Sequence, residues 1–291
     1  MTTPPSDLTL AAVAALWGAV TGALLPRAAY RFSVPPEEER DEPTEEREET
    51  AGQETQETQE TQEVQEAGGG WRAICPAGHP MRGWLGRAPC RRCADTGAPG
   101  PSGVPGTPGA PVASGALLLP LLTALVCAAL ALATGARPEL AVWLALAPVG
   151  VLLAVVDVRV RRLPDPLTLP LAVAALALLG LAALLPEHAG DWTTALLGAL
   201  ALGAGYLVLH LVNPGGMAFG DVKLALGMGA VLGWYGWPTV MLGTFAAFLF
   251  GALYGGVLFV VGRAGRGTLI AFGPFMLAGT LAGLLVGAYT A

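Results

Sequence analysis

The chain has 291 residues, 53% of them hydrophobic and only 13% charged, with 40 glycines and 24 prolines. Soluble domains run nearer 25% charged, and the mean hydropathy of +0.56 excludes both an ordinary soluble enzyme and a chain disordered throughout, leaving a membrane protein with a polar insert. The net charge of −6 is uneven: residues 1–111 hold 9 basic and 16 acidic side chains and residues 112–291 hold 7 and 6, so the acidity belongs to one segment, and no basic patch points to nucleic acid.

A bilayer core about 30 Å thick takes about 20 apolar residues per helical span. Eight such runs follow one another at 8–26, 115–134, 139–157, 167–186, 191–212, 222–237, 239–262 and 269–289. The predicted fold class is therefore an all-α polytopic membrane protein of about eight transmembrane helices, with a cytoplasmic insert after the first. Residues 1–26 form the first helix, 27–114 the insert and 115–291 a seven-helix membrane domain. The first run lacks a basic leader and a small-x-small site, so it is expected to stay as a span and not to be cleaved as a signal peptide. The sixth is short and rich in glycine (Gly227, Gly229, Gly233, Gly236), a composition suited to close helix packing. Trp234, Tyr235, Trp237 and Pro238 separate it from the seventh as an aromatic cluster of the interfacial kind.

Lysine and arginine set the expected orientation. Arg27 and Arg31 follow the first span, Arg159, Arg161 and Arg162 the third, Lys223 the loop between the fifth and sixth, and Arg263 and Arg266 the seventh. Placing these ends in the cytoplasm leaves only Arg137 of 16 basic residues outside. The N-terminus is then external, in a multi-pass protein of the cell (plasma) membrane surrounded by lipid.

The insert reads in three parts. Residues 35–66 are acidic and repetitive with almost no apolar side chains, and cannot bury a core. Residues 97–111 alternate Gly and Pro with small residues and read as a linker. Between them, residues 71–95 carry Cys75 and His79 at C-x3-H spacing and Cys90 and Cys93 at C-x2-C spacing, the makings of one tetrahedral Cys3His zinc site, which would also fold a segment too small to fold alone. The competing reading is a remnant with reduced thiols. Cys127, in the middle of the second span, is an apolar packing residue.

Six acidic residues lie after residue 111. Glu139, Glu187 and Asp191 fall at the outer helix ends, where solvation is expected. Asp157 closes the apolar run 151–156, and Asp221 stands at the start of the sixth span in Gly215-Gly-Met-Ala-Phe-Gly-Asp-Val-Lys-Leu224. The topology brings both to one membrane face, and an ionisable group at membrane depth is a functional candidate by default. Two adjacent carboxylates share one proton: the ionised member acts as general base on a water while the protonated member donates to a scissile carbonyl. Gly216 and Gly220, with Gly215, would let a substrate backbone approach Asp221. A structural reading competes, with Asp221 as an N-terminal anion of the sixth span and Asp157 paired with Arg159 or Arg161. Asp165, between Pro164 and Pro166, reads as a turn or helix cap, His210 as a satisfied interfacial histidine, and Lys223 as an anchor or as a residue acting on the nearby carboxylates and substrate.

Taken together, these stretches resemble a known family. Asp157 with Arg162-Leu-Pro-Asp-Pro-Leu-Thr168 resembles the first aspartate motif of the type IV prepilin peptidases. Gly216-Met-Ala-Phe-Gly-Asp-Val-Lys-Leu224 resembles the second, the GxGD motif, and Gly273-Pro-Phe275 resembles the C-terminal signature. The resemblance implies a membrane aspartic endopeptidase with Asp157 and Asp221 as the catalytic pair. Its expected substrates are prepilin or pseudopilin proteins, cut at the cytoplasmic face after glycine and before an apolar helix. Bifunctional members of that family then N-methylate the new terminus with S-adenosylmethionine. Two departures stand out: Ala218 occupies the place of the first glycine of GxGD, and one cysteine of the family's tetracysteine loop is absent, with His79 nearby. The alternative function is a polytopic transporter or ion channel using its membrane carboxylates. No internal repeat supports it, and the acids sit at one face, away from the midplane.

Overall fold

In hydrocarbon a backbone finds no water to bond, so each apolar run has to satisfy its own N–H and C=O groups, which a helix does. The computed structural model describes residues 7–33, 71–75, 79–86, 90, 112–213, 217–262 and 271–291. Among them stand eight helices: α1 Asp7–Phe32, α2 Val112–Thr134, α3 Glu139–Val160, α4 Asp165–Ala182, α5 Trp192–Val212, α6 Phe219–Gly233, α7 Trp237–Val260 and α8 Gly273–Thr290. Seven are long and apolar enough to cross a membrane. The exception, α6, has 15 residues. The acidic segment 35–66, the linker 97–111, Gly215, Gly216 and Cys93 lie outside the described residues. The chain forms two units, Met1–Ala23 with Pro111–Ala291, and Leu24–Ala110.

In the larger unit α6 is the hub, touching α4, α5, α7 and α8. Ten of its residues are buried, including Leu224, Ala225, Met228 and Leu232. They pack with Leu153 of α3, Leu202 and Tyr206 of α5, Val240 of α7 and Met276 of α8 in the main core. The approach of α5 to α6 depends on glycine: a β-carbon on Gly198 would stand 2.5 Å from the Gly229 carbonyl oxygen, and one on Gly233 as close to that of Thr194. Small residues at such crossings let backbones meet where lipid supplies no hydrophobic drive between helices.

A proline explains how α1 is held. Pro148 lies inside α3 and has no N–H, so the Leu144 carbonyl one turn earlier loses its helical partner. The Trp17 indole of α1 donates to that oxygen at 2.9 Å. Ala11 and Ala14 of α1 then pack with Cys127 and Ala131 of α2 and Leu140 of α3, which places Cys127 among packing residues, as expected.

The end of the bundle far from Asp157 corrects one expectation. Glu187 and Asp191 are exposed, but Glu139 is fully buried. Its Oε1 accepts the Ala189 N–H at 3.2 Å and the Tyr235 hydroxyl at a long 3.5 Å, so loops distant in sequence supply partners to one of its oxygens where water was expected. Asp191 caps α5. Hydrogen bonds from the Thr193 hydroxyl and the Thr194 N–H hold its carboxyl below the usual carboxylate range. The aromatic cluster divides: Trp237 is exposed, as an interfacial residue should be, while Trp234 is buried in the core beside Trp143 and Leu284.

In the smaller unit the last turns of α1, which run past the expected end at 26 to Phe32, carry the cysteine segment. The Arg31 guanidinium lies 3.8 Å from the centre of the Trp84 ring and donates to the carbonyls of Arg72 at 3.2 Å and Gly83 at 2.8 Å. Trp84 also stacks on Phe32 at 4.9 Å. The Arg27 guanidinium donates to the Leu85 carbonyl at 3.2 Å, so Arg27 and Arg31 have structural work in this unit besides the topological role read from the sequence.

Candidate active site

The apolar run of α3 delivers Asp157 one turn before the helix stops. Arg161 ends it in the left-handed conformation, φ 52°, and its N–H returns to the Asp157 carbonyl at 2.7 Å. Leu163 and Pro164 turn the chain, and α4 begins at Asp165. The Asp157 side chain is buried, and its Oδ2 accepts the N–H of Gly273 at 3.0 Å. That N–H belongs to the first residue of α8, so the carboxylate sits at the positive end of a helix. Glycine is needed there, since a β-carbon at 273 would come within 2.6 Å of Asp157 Oδ2. The Asp157 carboxylate thus meets α8, where the sequence also allowed Arg159 or Arg161.

Asp221 lies in the first turn of α6 and is likewise buried. Its N–H bonds to the carbonyl of Ala218 at 3.0 Å, and Ala218 is the helix cap residue. At φ −72° and ψ 147° Ala218 is in ordinary extended backbone, so the alanine found where GxGD has its first glycine requires no strain. Gly220 sits at a close approach: a β-carbon there would stand 3.0 Å from the Leu163 β-carbon, in the turn that follows Asp157. Lys223 extends its amine to Asp165 at 2.6 Å. Asp165 is thus both the first residue of α4 and the counter-ion of a lysine in α6. His210 is satisfied at the interface end of α5, with Nδ1 2.8 Å from the Met217 carbonyl oxygen.

The two buried carboxyl groups, one from α3 and one from α6, lie within electrostatic reach of each other. A residue passed over in the sequence joins them: Tyr206 of α5 is buried, is within electrostatic reach of Asp221, and its hydroxyl has no hydrogen-bond partner among the described residues. Its ring stacks on Phe248 at 5.9 Å, and Phe248 meets Phe272, the residue before Gly273, at 5.3 Å. Only its position in an apolar stretch, where a hydroxyl wants a partner, could have flagged it.

Residues 144–256, which carry both aspartates, match the type IV leader peptidase family. A prepilin leader peptidase/N-methyltransferase of Burkholderia pseudomallei (strain K96243) is 33% identical over 235 residues, 74% of this chain and 67% of the relative. The chain belongs to the type IV leader peptidase family. Proteins of the same name from Aeromonas salmonicida (strain A449) and Stutzerimonas stutzeri are 37% and 36% identical over 141 and 127 residues, which is 45% and 43% of this chain. The matched part spans less than half of those two relatives, 45% and 42% of their lengths. No solved structure matches the chain.

Two further features of this leader peptidase family member bear on function. In the smaller unit, Cys75, His79 and Cys90 bring their ligand atoms within 4.8 Å of one another. His79 Nδ1 is 3.7 Å from Cys75 Sγ and 4.0 Å from Cys90 Sγ. Tetrahedral zinc with ordinary bond lengths sets sulfur and nitrogen roughly 3.6 Å apart, so these three residues fit the metal. Backbone hydrogen bonds hold Cys75 and His79 together, with the Cys75 N–H on the His79 carbonyl at 3.0 Å and the Met81 N–H on that of Ala73 at 2.8 Å. In the larger unit a cavity of about 270 Å³ opens among α2, α3, α4, α6 and α8. Apolar side chains line it, and its one hydroxyl, Thr280, bonds back to the Met276 carbonyl.

Proposed function

We propose that the chain is a membrane aspartic endopeptidase that removes the leader of prepilin-like or pseudopilin-like proteins at the cytoplasmic face. The observation that carries this reading is a pair of buried carboxyl groups, Asp157 from α3 and Asp221 from α6, within electrostatic reach of each other in a member of the leader peptidase family. Like charges a few Å apart cannot both ionise, so the pair holds one proton between them. The ionised member takes a proton from water, whose oxygen attacks the scissile carbonyl. The protonated member donates to the carbonyl oxygen. Collapse of the tetrahedral species then breaks the C–N bond, and the leaving nitrogen takes a proton from the dyad. The Gly273 N–H fixes the Asp157 carboxylate for this work. Gly220, by its contact with Leu163, and Lys223, by its bond to Asp165, hold the first turn of α6 against the turn after Asp157. By sequence position alone, Gly216 is assigned to the substrate-binding stretch before Asp221.

The positive-inside bias supports an external N-terminus and a cytoplasmic insert. In that insert Cys75, His79 and Cys90, with Cys93 as fourth ligand, would hold one Zn2+ that folds the segment and takes no part in cleavage. The relatives' names join an N-methyltransferase to the peptidase. The apolar cavity beside the dyad does not fit S-adenosylmethionine, a charged and polar molecule, and no methyl-transfer step follows from it.

The test of the peptidase reading is co-expression with a prepilin. Asp157→Asn and Asp221→Asn are each expected to abolish processing while the protein reaches the membrane at the normal level, and leader removal by either variant would dismiss the dyad. The metal is tested separately. Purified protein should contain one zinc per chain, Cys75→Ser should lose it, and both forms should still cleave. A metal-free wild-type preparation would remove the zinc assignment and leave the peptidase untouched.

A further inference from the structure

The cavity begins where the dyad ends. At its near end stand Ala154, one turn before Asp157, Leu224, three residues after Asp221, and Pro274, next to the Gly273 that donates to Asp157. At its far end stand Trp143, Val231 and Leu284. From Ala154 to Trp143 along α3 is about 16 Å at the helical rise, so the cavity runs from about one turn short of the carboxylates deep into the bundle.

Its size decides what can enter. At about 270 Å³ it is roughly twice the apolar cavity of about 150 Å³ known to take up benzene in another protein. That is room for two large apolar side chains. A whole helix, about 10–12 Å across, is too wide. Its walls offer no partner to a backbone N–H or C=O, so the occupant has to bring apolar groups alone and keep its own backbone bonds internal.

We propose that this cavity is the specificity pocket for the segment just C-terminal to the scissile bond, and that two large apolar side chains from one face of that segment's helix fill it. This rests on the peptidase reading, since continuity with Asp157 and Asp221 is what distinguishes the substrate from a lipid chain as the occupant. A peptide held at the dyad has its leader on the aqueous side, and the chain beyond the reacting carbonyl stands at the cavity mouth. Filling the pocket fixes register, so the dyad meets one peptide bond out of an otherwise uniform apolar helix. The pocket reads size and the dyad cuts, and the two functions use different residues.

Gly150 provides the test, since a β-carbon there would make only an ordinary 3.8 Å contact with Leu277 and a longer side chain would grow into the cavity. With purified membranes and a prepilin carrying large apolar residues after the cut, Gly150→Leu should raise KM at least tenfold with kcat at saturation little changed. The same variant should regain near-normal KM on a substrate whose pocket-facing residues are alanine, a preference opposite to the wild type's. A second measurement guards against misfolding. In the Asp221→Asn chain, p-benzoylphenylalanine at Leu281, inside the cavity, should photocross-link the substrate segment after the cut, while the same probe at the outward-facing Phe245 should not. Unchanged KM in Gly150→Leu, cross-links from Leu281 to lipid alone, or equal substrate cross-linking at Phe245 would overturn the pocket. Cleavage by the wild type and its loss in Asp157→Asn would still uphold the peptidase, so the two proposals fail separately.

Discussion

Gly273 and Asp157 form the tightest constraint at the site. The glycine brings its N–H to the carboxylate at 3.0 Å, and a methyl group at the same position would come within 2.6 Å of that oxygen. Gly273→Ala must therefore displace either the carboxylate or the start of α8. A misplacement of about 1 Å costs on the order of 10²-fold in rate, so processing by Gly273→Ala should fall roughly 10- to 100-fold with normal membrane levels. Near-wild-type processing would mean that the Gly273 contact does not position the base. The two aspartates were legible in the sequence because a charge at the edge of an apolar run has few cheap explanations. Glu139 was not: a carboxylate at a helix end normally finds water, and only the folded chain brings Ala189 and Tyr235 to it. In the sequence Asp165 reads as a turn or cap and Lys223 as an anchor or a residue acting on nearby carboxylates, and nothing in their spacing announces that they bond each other across α4 and α6.

At the scale of the helices, the joint between α1 and α3 is a repair made by one side chain. Pro148 removes an N–H, and the Trp17 indole replaces it at the Leu144 carbonyl. Trp17→Phe leaves that oxygen bare and should lower stability by about 0.5–2 kcal/mol, read as a lower unfolding midpoint in detergent. Pro148→Ala restores a backbone donor to the same carbonyl. The double variant should therefore lose less than the two single losses combined; strict additivity would show that the indole bond carries no stability. The helices themselves were readable from run length, since lipid demands about 20 apolar residues and gives no credit for anything else. Their partners were not. The crossing of α5 and α6 at Gly198 and Gly229 follows from small residues that could have faced any neighbour. The continuation of α1 to Phe32 follows from Arg31 and Trp84, which only the folded cysteine segment brings together.

For the molecule as a whole, the short hub helix would make membrane thickness a variable of the proposed cleavage. A helix of 15 residues is about 22 Å long at the helical rise, against a hydrocarbon core of about 30 Å. Its far end passes through a tight turn at Gly236 into α7, beside the exposed Trp237, which anchors that end at an interface. A shortfall taken up at the Asp221 end would set the start of α6 about 8 Å beneath the level of the acyl-chain boundary. On the peptidase reading hydrolysis needs water, which a thinned or dimpled leaflet at this end would admit at a fraction of a kcal/mol per Å. Reconstituted into vesicles of graded acyl-chain length, the enzyme should cleave fastest in the thinnest stable bilayers and slow steadily as the chains lengthen. A rate indifferent to chain length would place the carboxylates at the surface. The cell's choice of lipid would otherwise act as a throttle on leader removal, with no change to any residue of the protein.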